Sequence, residues 1–166
     1  MTRRRLIAAA VGAGTFTLGA LYLRQPPLAL LRLALLGAAL GAVVESDLAE
    51  RQIPNRIVVP ATFVCAAAWG ASDIAPFAVF EGVVLVGALL ALSLSRPEAF
   101  GMGDVKLALL LVAGLDGRAV VALLVALALA AAFGLLLLVR FGRAAASRKL
   151  PLAPFFAAGA LIALVA

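Results

Sequence analysis

The chain has 166 residues, of which 66% are hydrophobic and 13% charged, with no histidine, one cysteine and a formal net charge of +6; its mean hydropathy is +1.18. Soluble domains are roughly 45–50% apolar and about 25% charged, so this composition excludes an ordinary soluble fold and points to an integral membrane protein. The lack of His also excludes Ser-His and Cys-His nucleophile pairs, HExxH zinc sites and imidazole acid/base chemistry, which leaves any acid/base work to carboxylates.

A helix crossing about 30 Å of hydrocarbon needs roughly 20 residues. Seven apolar runs bounded by charge, Pro or Gly meet or approach that length: Leu6–Leu23, Leu28–Val44, Ile57–Ala71, Phe77–Leu94, Val105–Leu115, Ala119–Val139 and Leu150–Ala166. The expected fold is all-α, a polytopic membrane protein of six or seven transmembrane helices. The fifth run is too short to span comfortably, and is expected to start inside the membrane, tilt or thin the bilayer locally. The basic start Arg3-Arg4-Arg5 ahead of the first run also suits a signal peptide, including the twin-arginine kind. The apolar character of everything downstream favours a retained span.

Threading the connections with the N-terminus inside puts Arg3, Arg4, Arg5, Arg51, Arg56, Arg96, Lys106, Arg140, Arg143, Arg148 and Lys149 on the cytoplasmic side, and only Arg24 and Arg118 outside. Cytoplasmic loops are enriched in Lys and Arg, so this bias sets the expected orientation. The basic residues punctuate apolar runs rather than forming one face, and read as topology signals rather than a nucleic-acid surface. Cys65 stands alone inside an apolar run, so neither an intrachain disulfide nor a CxxC metal site is expected.

Two polar segments are hard to explain as mere connections. Glu45-Ser46-Asp47-Leu48-Ala49-Glu50-Arg51-Gln52-Ile53-Pro54-Asn55 follows the second run, and Gly101-Met102-Gly103-Asp104-Val105-Lys106 precedes the fifth. The glycines allow close backbone approach and unusual dihedrals, and Pro54 disfavours helix at Ile53. Asp47 and Asp104 fall at the same membrane face at similar depth and can meet. Two carboxylates at close range do not both ionise easily, so one keeps a proton while the other activates water. The bland alternative is that Asp47 flanks a helix end and Asp104 is an N-terminal helix acid favoured by the macrodipole.

Asp47 through Ile53-Pro54-Asn55 resembles the corresponding segment of the type IV prepilin peptidase family, and Gly101-Met102-Gly103-Asp104 resembles its GxGD motif. The Pro151-Leu152-Ala153-Pro154-Phe155-Phe156 stretch is similar to that family's last span. The resemblance implies an intramembrane aspartyl endopeptidase that removes the basic leader of prepilins or pilin-like proteins at the cytoplasmic membrane face. Asp47 and Asp104 would be the catalytic pair. Gly101, Met102 and Gly103 would shape the loop presenting Asp104, Ile53, Pro54 and Asn55 would seat the Asp47 segment, and Lys106 would anchor its helix at the interface. No metal or organic cofactor is implied, and the partners are a prepilin substrate and the lipid bilayer, with no nucleic acid. Larger members carry an N-terminal region with paired CxxC motifs and also N-methylate the product. This chain has a single Cys, so methyl transfer is not expected, and the compact form resembles peptidases of tight-adherence (Flp-like) pili. On this reading residues 1–27 add a span to a family-like core, 28–166, within one transmembrane domain of the inner membrane.

Arg32 and Glu81 each sit about 6 Å inside the outer face by helical rise, and are expected either to pair or to snorkel separately. Trp69 reads as an interface anchor, and the small-residue runs Gly37–Gly41 and Ala126–Gly134 as close helix packing. Asp73, Asp116, Glu45, Glu50 and Glu98 read as solvated loop charges, with Glu45 and Glu50 as alternatives to Asp47. Functions of other classes are a small proton- or cation-coupled transporter using Asp47, Asp104 or Glu81, and a non-catalytic scaffold.

Overall fold

Inside a bilayer the backbone must satisfy its own N–H and C=O groups, which a helix does within one segment. The computed structural model describes residues 2–71, 76–96, 101–142 and 150–166. Among these it contains seven helices and no strand: α1 (Arg3–Tyr22), α2 (Pro27–Glu50), α3 (Asn55–Gly70), α4 (Pro76–Ser95), α5 (Met102–Leu115), α6 (Ala119–Phe141) and α7 (Ala153–Val165). Asp73, Glu98, Arg143, Arg148 and Lys149 lie outside the described residues.

Helix α2 starts on Pro27, whose missing N–H costs nothing at the first position, and runs past the end of the apolar stretch. No helix breaker occurs between Val44 and Glu50, and the helix stops where Arg51 turns into the left-handed region at φ 52°. Asp47 therefore stands on the last turn of a helix, not in the connection the sequence pattern suggested.

Four helices, α1, α2, α4 and α6, are long and apolar enough to cross a membrane. Their outward faces carry Val11, Leu18, Phe80, Val83, Leu124, Leu135 and Leu136, all exposed. Apolar side chains facing outward over that much surface suit lipid rather than water, and the chain is an all-α polytopic membrane protein. Helix α5, with 14 residues, is about 21 Å long by helical rise and falls short of the hydrocarbon thickness. It tolerates this because it is enclosed: α2, α3, α4, α6 and α7 all pack on it, and Val105, Leu107, Ala108 and the whole stretch from Leu110 to Leu115 are buried.

Small residues decide which helices touch. A Cβ added to Gly12 would collide with the carbonyl of Gly37, and one on Gly41 with the carbonyl of Ala8, so α1 and α2 meet backbone to backbone. Gly159 of α7 packs in the same way on the Ala122 carbonyl and Ala126 of α6. The expected close packing of Gly37–Gly41 and of the Ala126 end of the second run is present. Gly134 has only Leu150 near it, at ordinary contact distance.

The expected Arg32–Glu81 pair does not form. Helix α5 lies between α2 and α4, which do not touch, and the partner of Arg32 is Asp116, at 3.3 Å. Asp116 ends α5 in the left-handed region at φ 50°, followed by Gly117 at φ 83°; Asp is among the few residues that accept this conformation. Asp116 also accepts a 2.7 Å hydrogen bond from Trp69 Nε1. It is thus not a free loop charge, and Trp69 has a specific partner. Glu81 lines a shallow groove with Phe77, Phe80, Val84 and Val120.

Candidate active site

At the other end of the bundle, the last turn of α2 and the first turn of α5 bring Asp47 and Asp104 into one neighbourhood. Asp47 is only 7% exposed. Its Oδ2 accepts a 2.9 Å hydrogen bond from the backbone N–H of Ala153. That N–H is one of the orphan donors at the start of α7, and a carboxylate there also meets the positive end of the helix dipole. Pro154, next in line, has no N–H to satisfy. Ala153 did not stand out in the sequence as a site residue, although the flanking Pro151 and Pro154 mark a helix start at that point.

Asp104 precedes the apolar stretch 105–115, and its own N–H donates to Gly101 O at 3.0 Å. Its carboxyl is pushed up to about 6, first by burial and further by the negative charge of Asp47, while a hydrogen bond from the Gly101 backbone works the other way. A carboxyl held this high keeps its proton into mildly acidic solution.

The residues around the pair interlock. The Cα of Gly103 faces Ile53 so closely that a Cβ there would stand 3.2 Å from the Ile53 Cβ and Cδ1. Lys106 Nζ donates to Asn55 Oδ1 at 3.0 Å, so Lys106 ties the start of α5 to the start of α3 as well as lying near the end of the bundle. Pro54 caps α3 in extended conformation, and Met102 opens α5 and is exposed. Gly101 has φ −76° and ψ 148°, open to any residue. The need for glycine is therefore the close approach at Gly103, not an unusual dihedral.

Glu45 and Glu50 stand on the last turns of α2 rather than in a loop, and both are ion-paired, Glu50 while still exposed to the surroundings. Arg5, on α1, donates through Nε to Glu45 Oε2 at 2.9 Å and through Nη2 to Glu50 Oε1. With both of those carboxylates engaged by a guanidinium, Asp47 and Asp104 are the acids at this end outside that cluster, near enough for the charge of Asp47 to act on Asp104. No sequence signal pairs Arg5 with residues 40 and 45 positions away.

The fold and this cluster define a helical membrane protein with two acids from distant helices gathered at one end of the bundle. Residues 34–139 match the type IV leader peptidase family, and the chain belongs to that family, whose members are proteases. The matched region includes both acids and ends before α7; it leaves out α1 and the start of α2. No curated relative and no solved structure matches the chain.

Proposed function

We propose that this protein is an aspartic-type leader peptidase in which Asp47 and Asp104 share the chemistry. The observation that supports the reading is that two carboxyls 57 positions apart in sequence, one buried and one half-buried, lie at the same end of the bundle with the charge of Asp47 felt at Asp104. Asp47, whose Oδ2 accepts from the Ala153 N–H, takes the part of the base. Asp104, with its raised affinity for a proton, suits the acid.

On this reading Asp47 takes a proton from water as the water oxygen bonds to the scissile carbonyl carbon, and Asp104 gives its proton to the carbonyl oxygen. The tetrahedral intermediate then collapses: the C–N bond breaks, the proton held by Asp47 passes to the leaving nitrogen, and a hydroxyl proton returns to Asp104. The substrate class is a prepilin or pilin-like precursor of the Flp type, cut at the cytoplasmic face of the inner membrane. That orientation rests on the Lys/Arg bias. Methyl transfer does not accompany cleavage.

The test is leader removal from a co-expressed Flp-type prepilin, read as a gel shift in membranes for wild type, Asp47→Asn and Asp104→Asn at matched expression. Wild type cleaves, and each variant loses about 10²–10⁴ in rate, the usual weight of a general acid or base. Full activity in either variant would remove the pair from the mechanism.

A further inference from the structure

The two helices that bear the acids run antiparallel, and at the end away from the acids an ion pair joins them. Arg32 lies 15 positions before Asp47 on α2, and Asp116 lies 12 positions after Asp104 on α5, which places the Arg32–Asp116 contact about 20 Å from the acids by helical rise. Helix α3 closes the same joint. Trp69 Nε1 holds Asp116 Oδ1 at 2.7 Å, and one turn earlier Cys65 Sγ lies 3.8 Å from the carbonyl oxygen of Arg32.

This joint is a poor way to stabilise a bundle. Arg32 is 4% exposed and, among the described residues, makes one ion pair, through Nη2 at 3.3 Å to an Asp116 side chain that is 45% exposed. Its Nε and Nη1 are buried without a protein partner among the described residues. A guanidinium so placed carries a desolvation cost that a single 3.3 Å contact offsets in part, and an apolar side chain of similar volume is often neutral or stabilising in place of such a group. The best-attested use of such a buried polar group is to specify register. Neighbouring apolar contacts between α2 and α5 are undemanding about sliding, whereas a slip of one turn, 5.4 Å, separates Arg32 from Asp116 and Asp47 from Asp104 together.

We infer that Arg32, Asp116 and Trp69 form a register clamp that positions α2 against α5 so that Asp47 and Asp104 meet at the opposite end. These are positioning residues, not catalytic ones. The consequence for catalysis rests on the proposed acid pair, but the register can be read without activity.

The test uses the full chain in membranes with Cys65→Ala, comparing an intact clamp with Arg32→Met/Asp116→Asn. Asn keeps the acceptor for Trp69 and tolerates the left-handed backbone at 116. Register is read from the yield of cross-linking between Asp47→Cys and Asp104→Cys by a short bifunctional thiol reagent. Cleavage is read in the same clamp variants with the native acids. The expected result is that the clamp variant melts in detergent at the same or a higher temperature, cross-links several-fold less, and cleaves about a hundredfold more slowly, the scale of a small misplacement of reacting groups. Unchanged cross-linking in the folded clamp variant overturns the inference whatever its stability. If the double variant does not accumulate, Trp69→Phe, which deletes only the indole N–H, carries the test: reduced cross-linking supports the clamp and unchanged cross-linking overturns it. Absence of cross-linking with the clamp intact overturns the acid pair itself, and the clamp with it.

Discussion

The backbone N–H of Ala153 donates to Asp47 Oδ2 at 2.9 Å across 106 positions of sequence, so the seventh helix begins on the acid carried by the second. This separates two effects of changing Asp47. Asp47→Asn keeps an acceptor oxygen for Ala153 and is expected to abolish cleavage with little change in melting temperature. Asp47→Ala leaves the Ala153 N–H buried and unpaired, which costs about 1–3 kcal/mol in addition. Thermal melts of both purified variants in detergent check the difference.

Cleavage depends on pH through Asp104. As the proposed acid it must carry its proton, and with its carboxyl at about 6 the rate is expected to fall as pH rises through that value. A profile of kcat/KM between pH 4.5 and 8 measures this. Stability moves the same way. The folded state holds the Asp104 proton more tightly than the unfolded chain, whose value is the ordinary 3.8. Rising pH between 3.8 and about 6 therefore weakens the folded state, and above that window this group adds no further slope.

Two glycines two positions apart on α1, and so on opposite faces of it, are expected to respond oppositely to alanine. At Gly12 a Cβ collides with the backbone of Gly37, whereas at Gly14 nothing lies within 4 Å. Gly12→Ala should cost about 1–3 kcal/mol by overpacking against a surface that cannot rotate away. Gly14→Ala should be neutral or stabilise by about 0.5–1 kcal/mol through helix propensity. Melting temperatures of the two variants, at equal detergent, decide it.

The contact of Gly103 with Ile53 predicts a compensating pair. Gly103→Ala forces the Ile53 side chain back by a few tenths of an ångström, and through it the loop leading from Asp47 to Asn55. Cleavage is expected to drop about tenfold, equivalent to roughly 1.4 kcal/mol in the barrier. Adding Ile53→Val, which removes Cδ1, should restore part of the loss. Initial rates of leader removal for the single and double variants test the coupling.

Much of this architecture is written in one dimension. Bilayer residence, seven apolar segments, the weakness of the fifth and the polar motifs around Asp47 and Asp104 all follow from local composition, because helix formation in lipid needs only a long enough apolar run. The resemblance singled out Ile53, Gly103, Asn55 and Lys106 but not their contacts: the meeting of Ile53 with Gly103 and of Asn55 with Lys106 comes from the packing of α3 and the chain just before it on α5. The sequence pattern ended the second span too early because apolarity stops at Val44, whereas the helix continues until the chain turns at Arg51.

Composition and motif order set the solvent of each segment and the acids available for chemistry. Tertiary structure alone decided the partners. Arg32 takes Asp116 rather than Glu81 because α5 intervenes between α2 and α4. Arg5 takes Glu45 and Glu50, and Asp47 takes the Ala153 N–H, because glycine contacts bring α1 onto α2 and the start of α7 lies beside the end of α2. In a bilayer every helix is apolar outside, so hydropathy does not distinguish one neighbour from another; close approach at small residues and the few buried charges do.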